Sequence, residues 1–416
     1  MKSVSESPLR ILFVCPSWYP INCGGHQRVS HLVAALSRMG DVTLLYPSKD
    51  GMHGPNLAAL SPFCKEVFTF PIESIGIHQD VRLPKPLFWL IHKLRYLHPT
   101  SPALTQHRHS EAAKELLERL CSKPFDLVWA ERLYSMRMLP SSLSSRVLVD
   151  LDDLEHRSFG RQPRLKKLHY MTPLYWLEFL KLRRLELSLC RLPYEFVVCS
   201  EFDKEVLGAD PKVWVVPNGI DMPAGSPARE AQDTPSLVFV GSMSGPPNVD
   251  AVLFFHRSVL PLIRRRIPEV RFFIVGSDPS PEIRALHDGE RVIVTGTVPE
   301  VSSHLRRATA FVAPIRFGGG TRIKILEAMA HGSPVVSTSM GAEGLELQNG
   351  KHLLIADSPE TFAEACIRLL EDEPFRERIG RQGYQEVRDR YEWSIVERTV
   401  HDLVLGAART PVRAAG

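Results

Sequence analysis

Long hydrophobic runs, paired-cysteine motifs and low-complexity tracts are all missing from this sequence of 416 residues. The apolar run at residues 11–15 ends at Pro16, so it is too short for a signal-peptide core or a membrane span. No other segment approaches about 18 uninterrupted apolar residues, and we therefore expect any membrane contact to be peripheral. The lack of low-complexity tracts excludes the disordered and fibrous classes.

Neither sign of charge predominates, because 51 basic side chains stand against 47 acidic ones and the net charge is +4. No local basic stripe accompanies this balance, so we expect no nucleic-acid partner. The seven cysteines are scattered and lack C-x-x-C spacing, which argues against a disulfide framework and a zinc site. We expect a reducing cytoplasmic location, with any membrane association on the cytoplasmic face.

Short β-branched runs alternate with longer helical patterns along the whole sequence, which is typical of parallel sheets built from β-α-β units. The predicted strands are 11–15, 42–46, 67–70, 127–130, 147–150 and 196–199, followed by 237–240, 272–275, 292–294, 311–313 and 335–337. A stretch rich in Pro, Ser, Ala and Gly, DMPAGSPAREAQDTPS, separates the two series. The predicted fold class is therefore α/β, with two Rossmann-like, doubly wound parallel-sheet domains.

The domain prediction follows from this break in the pattern. Residues 1–220 form the first domain, 221–236 the linker and 237–392 the second domain. The helix at 393–416 is expected to cross back onto the first domain. Open parallel sheets bind ligands at the carboxyl ends of their strands, so two facing domains would place both ligand-binding edges around one cleft.

The most informative segment is AFVAPIRFGGGTRIKILEAMAHGSPVVST, which predicts a strand, a glycine loop, a helix and another strand. Gly318, Gly319 and Gly320 let the backbone approach a ligand closely. The helix that is predicted to start near Thr321 presents backbone N–H groups without helical partners. Such a helix start is a phosphate-binding site.

The helix after this loop is apolar on nearly every side, yet it includes Arg322, Lys324 and Glu327. Burying three ionisable groups is costly unless each is paired. Lys324 and Glu327 are three residues apart, so an ion pair between them is one explanation. The explanation that we favour places Arg322 and Lys324 on a diphosphate and Glu327 on the ribose hydroxyls of a nucleotide.

This segment resembles the donor-binding motif of the retaining glycosyltransferases of family 4, which is E-x7-E followed by A-x-A-x-G-x-P-V. The matching residues are Glu327, Ala328, Ala330, Gly332, Pro334 and Val335. Gly319 stands where the first glutamate of the motif belongs, so backbone or another side chain must contact the donor sugar. A branch of the family that makes exopolysaccharides similarly has GGGTR-x-K here.

The resemblance covers nearly the whole sequence and implies the GT-B fold, a nucleoside diphosphate sugar as donor and no cofactor. It also implies that Gly24 and Gly25 approach the donor phosphate or the acceptor, and we count them with the donor-binding residues, although a glycine pair before a helix is as often purely structural. Gly241 follows the first strand of the second domain as in the family, but the basic residues that many relatives have beyond it are missing. Arg322 and Lys324 are therefore the predicted catalytic cations.

Polar residues directly follow two predicted strands of the first domain, in WAERLYS and VDLDDLEHRS. Because these strand ends lie at the ligand-binding edge, Glu131, Arg132, Tyr134 and Asp150 are predicted on the acceptor side. Asp152 is a further predicted catalytic residue, near a place where many relatives have a histidine that polarises the donor's sugar region.

Asp150 and Asp152 also match the DxD metal motif of the single-domain glycosyltransferases. The two-domain type usually neutralises phosphate with basic side chains and helix ends, so we expect no metal ion.

Aromatic and basic residues alternate in PKPLFWLIHKLRYLHP, residues 84–99, as they do in a helix at a membrane interface. Packing on the first domain is the alternative explanation, and the one we favour. The segment 170–192 raises the same two alternatives.

These patterns together predict a retaining glycosyltransferase of the hexosyltransferase kind, active in polysaccharide synthesis. It would move a sugar from a nucleoside diphosphate to a glycan, lipid-linked or small-molecule acceptor. A nucleotide-sugar 2-epimerase or a phosphorylase on the same fold is one alternative, and a non-catalytic nucleotide-sugar-binding subunit is another. A dinucleotide oxidoreductase is disfavoured because neither domain has G-x-G-x-x-G.

Overall fold

The computed structural model of the protein consists of two compact α/β units. The first comprises Met1–Pro217 and Val396–Gly416, and the second comprises Asn218–Ile395. The structure describes residues 8–17, 19, 24–48, 55–71, 94–103, 110–141, 143–161, 172–225, 230 and 234–407. None of the helices in these ranges has the length and apolar character needed to cross a bilayer.

The first unit is built on one sheet of parallel strands in the order β3-β2-β1-β4-β5-β6-β7. The strands are β1 Leu9–Val14, β2 Gly40–Ser48, β3 Glu66–Pro71, β4 Leu127–Glu131, β5 Arg146–Asp152, β6 Glu195–Val198 and β7 Val213–Val215. Its helices up to Pro217 are α1 Gly24–Ser37, α2 Pro55–Leu60, α3 Glu111–Leu120, α4 Glu155–Arg161, α5 Thr172–Leu187 and α6 Glu201–Val206. The strand order reverses between β1 and β4, which is where doubly wound sheets bind ligands.

The second unit repeats this plan with parallel strands in the order β10-β9-β8-β11-β12-β13. The strands are β8 Ser236–Val240, β9 Arg271–Val275, β10 Val292–Gly296, β11 Ala310–Ala313, β12 Val335–Ser337 and β13 Leu354–Ile355. The helices are α7 Pro246–Phe254, α8 Leu260–Arg266, α9 Pro281–Arg284, α10 Val301–Arg307, α11 Ile323–Ala330, α12 Ser339–Ala342, α13 Pro359–Glu371 and α14 Glu373–Arg390. A π-helical turn, Phe255–Val259, joins α7 to α8.

Alternation along β8 explains why this sheet lies between two layers of helices. Leu237 and Phe239 belong to one hydrophobic cluster, whereas Val238 and Val240 belong to another on the opposite face. Successive strand residues point to opposite faces, so an uninterrupted apolar run covers both faces of the sheet with hydrophobic side chains. Both faces must then be buried, which fixes the helix-sheet-helix layering.

All of the predicted strands are formed, and the predicted fold class of two doubly wound parallel sheets is confirmed. Two short strands at the sheet edges, β7 and β13, are not predicted by the sequence pattern. With three and two residues, these strands are too short to produce a recognisable periodic pattern.

The last helix, α15 Trp393–Ala407, begins in the second unit and continues into the first from Val396. Arg146 at the start of β5 donates hydrogen bonds to the carbonyls of Val404, at 3.0 Å, and Leu403, at 3.3 Å. The Glu397 carboxylate pairs with Arg38 beyond the end of α1. These contacts attach the end of the described chain to the sheet of the first unit.

Candidate functional site

The glycine loop between β11 and α11 has a backbone that requires glycine at two positions. Gly318 has a φ of 112° and Gly320 a φ of 82°, in the region that side chains disfavour. The Arg322 guanidinium turns back onto this loop, and its Nη1 donates to the carbonyl oxygens of Gly319 and, at 2.8 Å, Gly320. Arg322 therefore supports the loop conformation directly.

The helix that follows the loop begins two residues later than predicted, at Ile323 rather than near Thr321. Arg322 occupies the N-cap position, and among the described residues no side chain caps the helix. Arg322 and Lys324 thus lie at the N-terminus of the helix, where the backbone dipole favours an anion.

Lys324 is held at the carboxyl end of β8. Its Nζ donates a hydrogen bond to Asn248 Oδ1 at 2.6 Å and lies 4.5 Å from the centroid of the Phe239 ring. A Cβ added at Gly241 would lie 2.6 Å from this ammonium nitrogen, so glycine is needed there for the lysine to reach its position. Gly241 and Lys324, predicted separately, therefore belong to one site.

The pKa of Lys324 is lowered to about 7, chiefly by burial and in addition by the neighbouring Arg322 guanidinium, while Glu327 opposes both effects. Burial raises the pKa of Glu327, against the opposing effect of Lys324. No ion pair within 4.0 Å joins Lys324 to Glu327, and no described residue donates a hydrogen bond to the Glu327 carboxylate. The internal ion pair considered from the sequence is thus not formed in the described structure.

In the first unit, the carboxyl ends of β1, β4 and β5 bring four polar residues into one network. The Arg132 Nε donates to Glu131 Oε1 at 2.9 Å and to the Tyr19 hydroxyl at 3.0 Å. Its Nη2 donates to Asp152 Oδ2 at 2.6 Å. The Tyr19 hydroxyl in turn donates to Glu131 Oε1 at 2.5 Å. Three predicted site residues thus meet around Arg132.

The backbone of this network is strained at two places. Arg132 has a φ of 67° and Asp152 a φ of 58°, both in the left-handed region that non-glycine residues rarely adopt. Each such residue costs about 1–3 kcal/mol, and residues of this kind cluster at functional sites. The two strained residues are joined by their own ion pair, so the fold holds both in place.

Burial raises the pKa of Glu131 to about 7, with Arg132 and the Tyr19 hydrogen bond opposing the rise. Burial also raises the pKa of Asp153 to about 7, helped by the negative charge of Asp152. These two carboxyl groups can therefore exchange protons near neutral pH, which most carboxyl groups cannot.

Asp150 and Tyr134 lie deeper than an acceptor-side role suggests. Asp150 is fully buried, and its two oxygens accept hydrogen bonds from Arg28 at 3.0 and 2.9 Å. Tyr134 is also buried, and its hydroxyl is hydrogen-bonded to Ser17. Both residues contact other parts of the first unit, and this gives them an organising role.

The Asp150–Asp152 pair of the DxD pattern is neutralised by arginines, since Arg28 pairs with Asp150 and Arg132 with Asp152. Asp152, Asp153 and Cys199 offer ligand atoms within 4.8 Å of one another. The Cys199 thiol donates to Asp153 Oδ1 at 3.5 Å, and burial raises the pKa of this thiol. A protonated thiol and flanking guanidinium groups do not suit a cation.

The predicted glycine pair is part of a helix rather than a loop, because Gly24 and Gly25 form the first turn of α1. A Cβ at Gly25 would lie 2.6 Å from the Tyr19 ring, so this glycine lets the tyrosine pack against the helix. That contact positions the Tyr19 hydroxyl near Glu131. Residues 84–93 of the predicted interfacial segment lie outside the described residues.

Sequence reasoning missed Tyr19, Arg28 and Asn248. Arg28 could have been recognised from the sequence, because a cation among the apolar residues of α1 is expected to have a buried partner. Asn248 lies in the first turn of α7, beyond Gly241, which directly follows β8. Tyr19 has no sequence signal of its own, since its role depends on strands far apart in the chain.

The protein has the GT-B fold of glycosyltransferases. It contains two tandem doubly wound sheets, and the second unit has a glycine loop and two cations at the start of a helix. Sucrose-phosphate synthase from Thermosynechococcus elongatus has the same fold, with a TM-score of 0.64 at 17% identity over 97% of this chain and 100% of that chain. A glycosyltransferase from Rickettsia africae gives a TM-score of 0.65 at 12% identity, over 98% and 100% of the two chains.

Residues 234–372 match the family of glycosyl transferases group 1. The phosphatidyl-myo-inositol mannosyltransferase of Mycobacterium leprae is 31% identical over 209 residues, which are 48% of this chain and 54% of that protein. An uncharacterized 44.6 kDa protein in the cps region of Klebsiella pneumoniae is 23% identical over 91% of this chain and 94% of its own length. The chain spans about half the length of the mannosyltransferases it matches.

The match to the group 1 glycosyltransferases lies within the second unit, and the resemblance inferred from the sequence is confirmed.

Proposed function

We propose that the protein is a retaining glycosyltransferase that moves a sugar from a nucleoside diphosphate to the hydroxyl of a glycan, lipid-linked or small-molecule acceptor. The observation that favours this function most is the position of Lys324. Its ammonium group lies at the end of β8, beside the start of α11, and hydrogen-bonds to a neutral amide rather than to a carboxylate. Such a cation lacks a counter-charge that a diphosphate would supply.

The other parts of the second-unit site fit the same ligand. The Gly318–Gly320 loop brings backbone close to the phosphates, and the first turn of α11 contributes its dipole. Arg322 supports the loop and adds positive charge next to it. Glu327 has no donor among the described residues, which leaves its carboxylate free to accept hydrogen bonds from ribose hydroxyls.

In the proposed reaction, the bond between the sugar's anomeric carbon and the diphosphate oxygen breaks while the acceptor oxygen bonds to the same face of the sugar. The departing phosphate oxygen takes the proton of the acceptor hydroxyl. Lys324 and Arg322 stabilise the negative charge that develops on the diphosphate. Front-face attack is what the family resemblance implies, and the proposal needs neither cofactor nor metal ion.

The first-unit network is proposed to serve the acceptor side and the sugar. Arg132 and Asp152 are held in a fixed geometry by their ion pair and by the strained backbone on both sides. Glu131, with its pKa near neutrality, can donate or accept a hydrogen bond there. Preorganised polar groups of this kind orient a reacting hydroxyl.

The names of related proteins suggest which donors to test first. A relative from Mycobacterium tuberculosis, 32% identical over 36% of this chain, is a GDP-mannose-dependent mannosyltransferase. The HepE protein of Anabaena, with a TM-score of 0.60 at 14% identity over 95% of this chain and 99% of its own, was solved with UDP and glucose. We therefore propose GDP-mannose and UDP-glucose as the first two candidate donors. The cysteines that the structure describes are all free, which supports a cytoplasmic setting.

The donor site is tested by thermal shift with UDP, GDP, their sugars and inorganic pyrophosphate. A ligand at 100 times its Kd should stabilise the protein by about 2.7 kcal/mol. Lys324→Ala should weaken nucleotide and pyrophosphate alike, whereas Glu327→Ala should weaken only the nucleotide. Lys351→Ala, at an exposed lysine of the same unit, is the matched control. Equal binding by wild type and Lys324→Ala would remove the diphosphate assignment.

Turnover measurements then separate a transferase from an epimerase, a phosphorylase and a non-catalytic subunit. A retaining transferase gives, only with acceptor present, a product whose anomeric configuration by NMR equals that of the donor. An epimerase converts the nucleotide sugar without acceptor, and a phosphorylase requires free phosphate. Donor binding without conversion across a set of acceptors would favour the non-catalytic subunit.

A further inference from the structure

We propose that the outward face of α5 in the first unit is a docking surface for an anionic lipid membrane. The α5 surface consists of exposed apolar and basic side chains of α5, of the neighbouring 3-10 turn Arg95–Leu97 and of the residue before that turn: Leu94, Leu97, Trp176, Leu180, Arg183, Arg184 and Leu187. This surface goes beyond the proposed reaction, because neither donor nor acceptor chemistry enters the argument.

Burial along α5 is inverted relative to an ordinary surface helix. Trp176 is 42% exposed and Leu180 55% exposed, whereas Glu178 is 0%, Lys181 5% and Glu186 1% exposed. A helix in water normally buries its apolar stripe and exposes its charged side chains. Three of the four buried residues of α5 are therefore charged, and Leu182 is the apolar one.

The buried charges of α5 are paired or hydrogen-bonded within the first unit. The Lys181 Nζ pairs with Glu178 Oε2 at 2.9 Å and donates to the carbonyls of Tyr96, at 3.1 Å, and Ser101, at 3.3 Å. Glu186 accepts hydrogen bonds from the amide of Glu155 at 2.7 Å and from the His156 ring. These contacts fix the rotation of α5 about its axis, so its exposed apolar side chains cannot turn inward.

The exposed side chains form a continuous stripe. Trp176, Leu180, Arg184 and Leu187 follow one another at intervals of three or four residues, which places them along one face of the helix. Arg183 is exposed beside this stripe. Both acidic residues of α5, at 178 and 186, are buried, so the stripe presents only apolar and positive groups.

The neighbouring 3-10 turn extends the same surface. Leu94 is 52% and Leu97 55% exposed, and Tyr96 between them is anchored to α5 through Lys181. The Tyr96 ring also packs edge-on against Tyr175 of α5, with 6.2 Å between ring centroids. The turn and the helix therefore act as one rigid element.

This combination fits an anionic bilayer better than a protein partner. Leucine and tryptophan side chains enter the interface between headgroups and acyl chains, and tryptophan is enriched there. Arginines on the same face attract anionic headgroups. Arg183 and Arg184 are available for this attraction, because they form no ion pair with any residue the structure describes. Charge complementarity therefore favours a lipid surface with negative headgroups.

The test is co-sedimentation of the full chain with vesicles, in the absence of nucleotide. We expect binding to vesicles of phosphatidylcholine and phosphatidylglycerol in equal parts, and little binding to phosphatidylcholine alone. Arg183→Gln with Arg184→Gln should lower the partition coefficient about thirtyfold, since each cation near the surface contributes about a fivefold factor, and Arg183→Glu with Arg184→Glu should lower it further. Trp176→Ser with Leu180→Ser should abolish binding.

Two matched controls are available on the first unit. Arg119→Glu with Lys123→Glu changes the net charge equally at exposed positions in and after α3. Phe63→Ser replaces an aromatic ring that is 43% exposed, close to the 42% of Trp176. Neither control should alter vesicle binding, and circular dichroism and thermal melting should show all variants folded.

Three outcomes would overturn the proposal. These are equal binding to both kinds of vesicle, binding that survives the α5 double variants, and binding that is lost equally in the controls. Sedimentation velocity tests a fourth such outcome. If the protein is a dimer and Trp176→Ser dissociates it, a second copy of the chain covers the stripe. Since no donor is present, failure of the glycosyltransferase assignment would leave the vesicle result unchanged.

Discussion

The Arg28 guanidinium and the Asp150 carboxylate form a bidentate ion pair inside the first unit, with N–O distances of 3.0 and 2.9 Å. Arg28 Nη1 also donates to the Val216 carbonyl at 3.1 Å. The pair thus links α1, the end of β5 and the segment at which the chain leaves the first unit. Asp150 Oδ1 further accepts from the backbone amide of Asp152, at 3.1 Å, which connects the pair to the strained part of the site.

Removing one member of this pair should be far more costly than removing both. Arg28→Ala leaves a fully buried carboxylate without its cation, and we expect a loss of about 3–5 kcal/mol in the free energy of unfolding. The double variant Arg28→Met with Asp150→Leu should recover most of this loss. Urea unfolding followed by circular dichroism measures both. A loss below about 1 kcal/mol for the single variant would mean that the pair adds no stability.

Glu131→Gln should change how stability depends on pH. Burial raises the pKa of Glu131 to about 7 from its ordinary 4.5, so the folded state binds more protons than the unfolded state between these values. The stability contributed by the neutral carboxyl is present in full below pH 4.5 and is lost as the pH rises through 7. Glutamine keeps a neutral side chain whose oxygen can accept from Tyr19 and Arg132.

The free energy of unfolding of Glu131→Gln should therefore rise relative to wild type as the pH increases from 4.5 to 7. The relative gain should be on the order of 3 kcal/mol by pH 8, since each unit of difference in pKa corresponds to about 1.4 kcal/mol. Chemical denaturation across this range gives the difference curve. A flat curve would show that the carboxylate is stabilised as strongly in its charged form, and Glu118→Gln, at an exposed position, controls for the change of residue type.

Binding of a diphosphate should take up a proton at Lys324. In the free protein, burial and Arg322 lower the pKa of this lysine to about 7, whereas a bound dianion would raise it. Above pH 7 the lysine must therefore gain a proton on binding, and the Kd should rise by up to about tenfold per pH unit. Calorimetry of UDP or GDP binding at pH 8.5, in buffers of different ionisation enthalpy, measures this uptake.

The variant Lys324→Arg offers the contrast, because arginine remains charged throughout this range. Its nucleotide affinity should be nearly independent of pH between 7 and 9. The same pH dependence in wild type and Lys324→Arg would locate the titrating group elsewhere.

The free energy of unfolding also depends on the protonation of Lys324, and this dependence on pH is opposite in direction to that of Glu131. Its folded-state pKa of about 7 lies below the ordinary 10.5, so the unfolded state binds more protons between these values. Stability from this residue should increase as the pH rises from 7 to 10.5, and Lys324→Met should remove that increase. Thermal melts at three pH values within the window, for both proteins, give the comparison.

Gly241→Ala should weaken nucleotide binding with little effect on stability. The added Cβ would lie 2.6 Å from Lys324 Nζ and 2.8 Å from Asn248 Nδ2, both at the ends of side chains that can move away. Displacing the ammonium group should raise the Kd for UDP or GDP by about tenfold, on the scale of one charged hydrogen bond. Gly245→Ala is the control, since its Cβ would meet its nearest atoms at 3.5 Å. Equal affinity in the two variants would exclude Lys324 from the donor site.

Much of the second-unit site follows from adjacent residues, and sequence predicts it well. The strand, glycine loop and helix from Ala310 to Ala330 are formed as predicted, because glycine, apolar periodicity and β-branched runs act over a few residues. The position of Gly241 was also recognised. Its dependence on Lys324 was not, since the two residues are far apart in sequence and only the sheet brings β8 next to β11.

The first-unit site is a different case. The sequence identified Glu131, Arg132, Asp150 and Asp152 as polar residues after buried strands, and the structure places all four at strand ends. Which of them is buried in an ion pair with Arg28, and which meets Tyr19, depends on strand order and side-chain direction. These are fixed by the packing of α1 against the sheet, which no local pattern specifies.

The sequence alone thus determined the two-sheet α/β fold, the glycine loop and the polar character of the strand ends. Each of these comes from local propensity or from hydrophobic periodicity, which act within about ten residues. The tertiary structure decided the rest: the Lys324–Asn248 contact, the Arg28–Asp150 pair and the inverted burial of α5. Those features pair groups from distant segments, and the cost of burying an unpaired charge selects the partners only after the chain has folded.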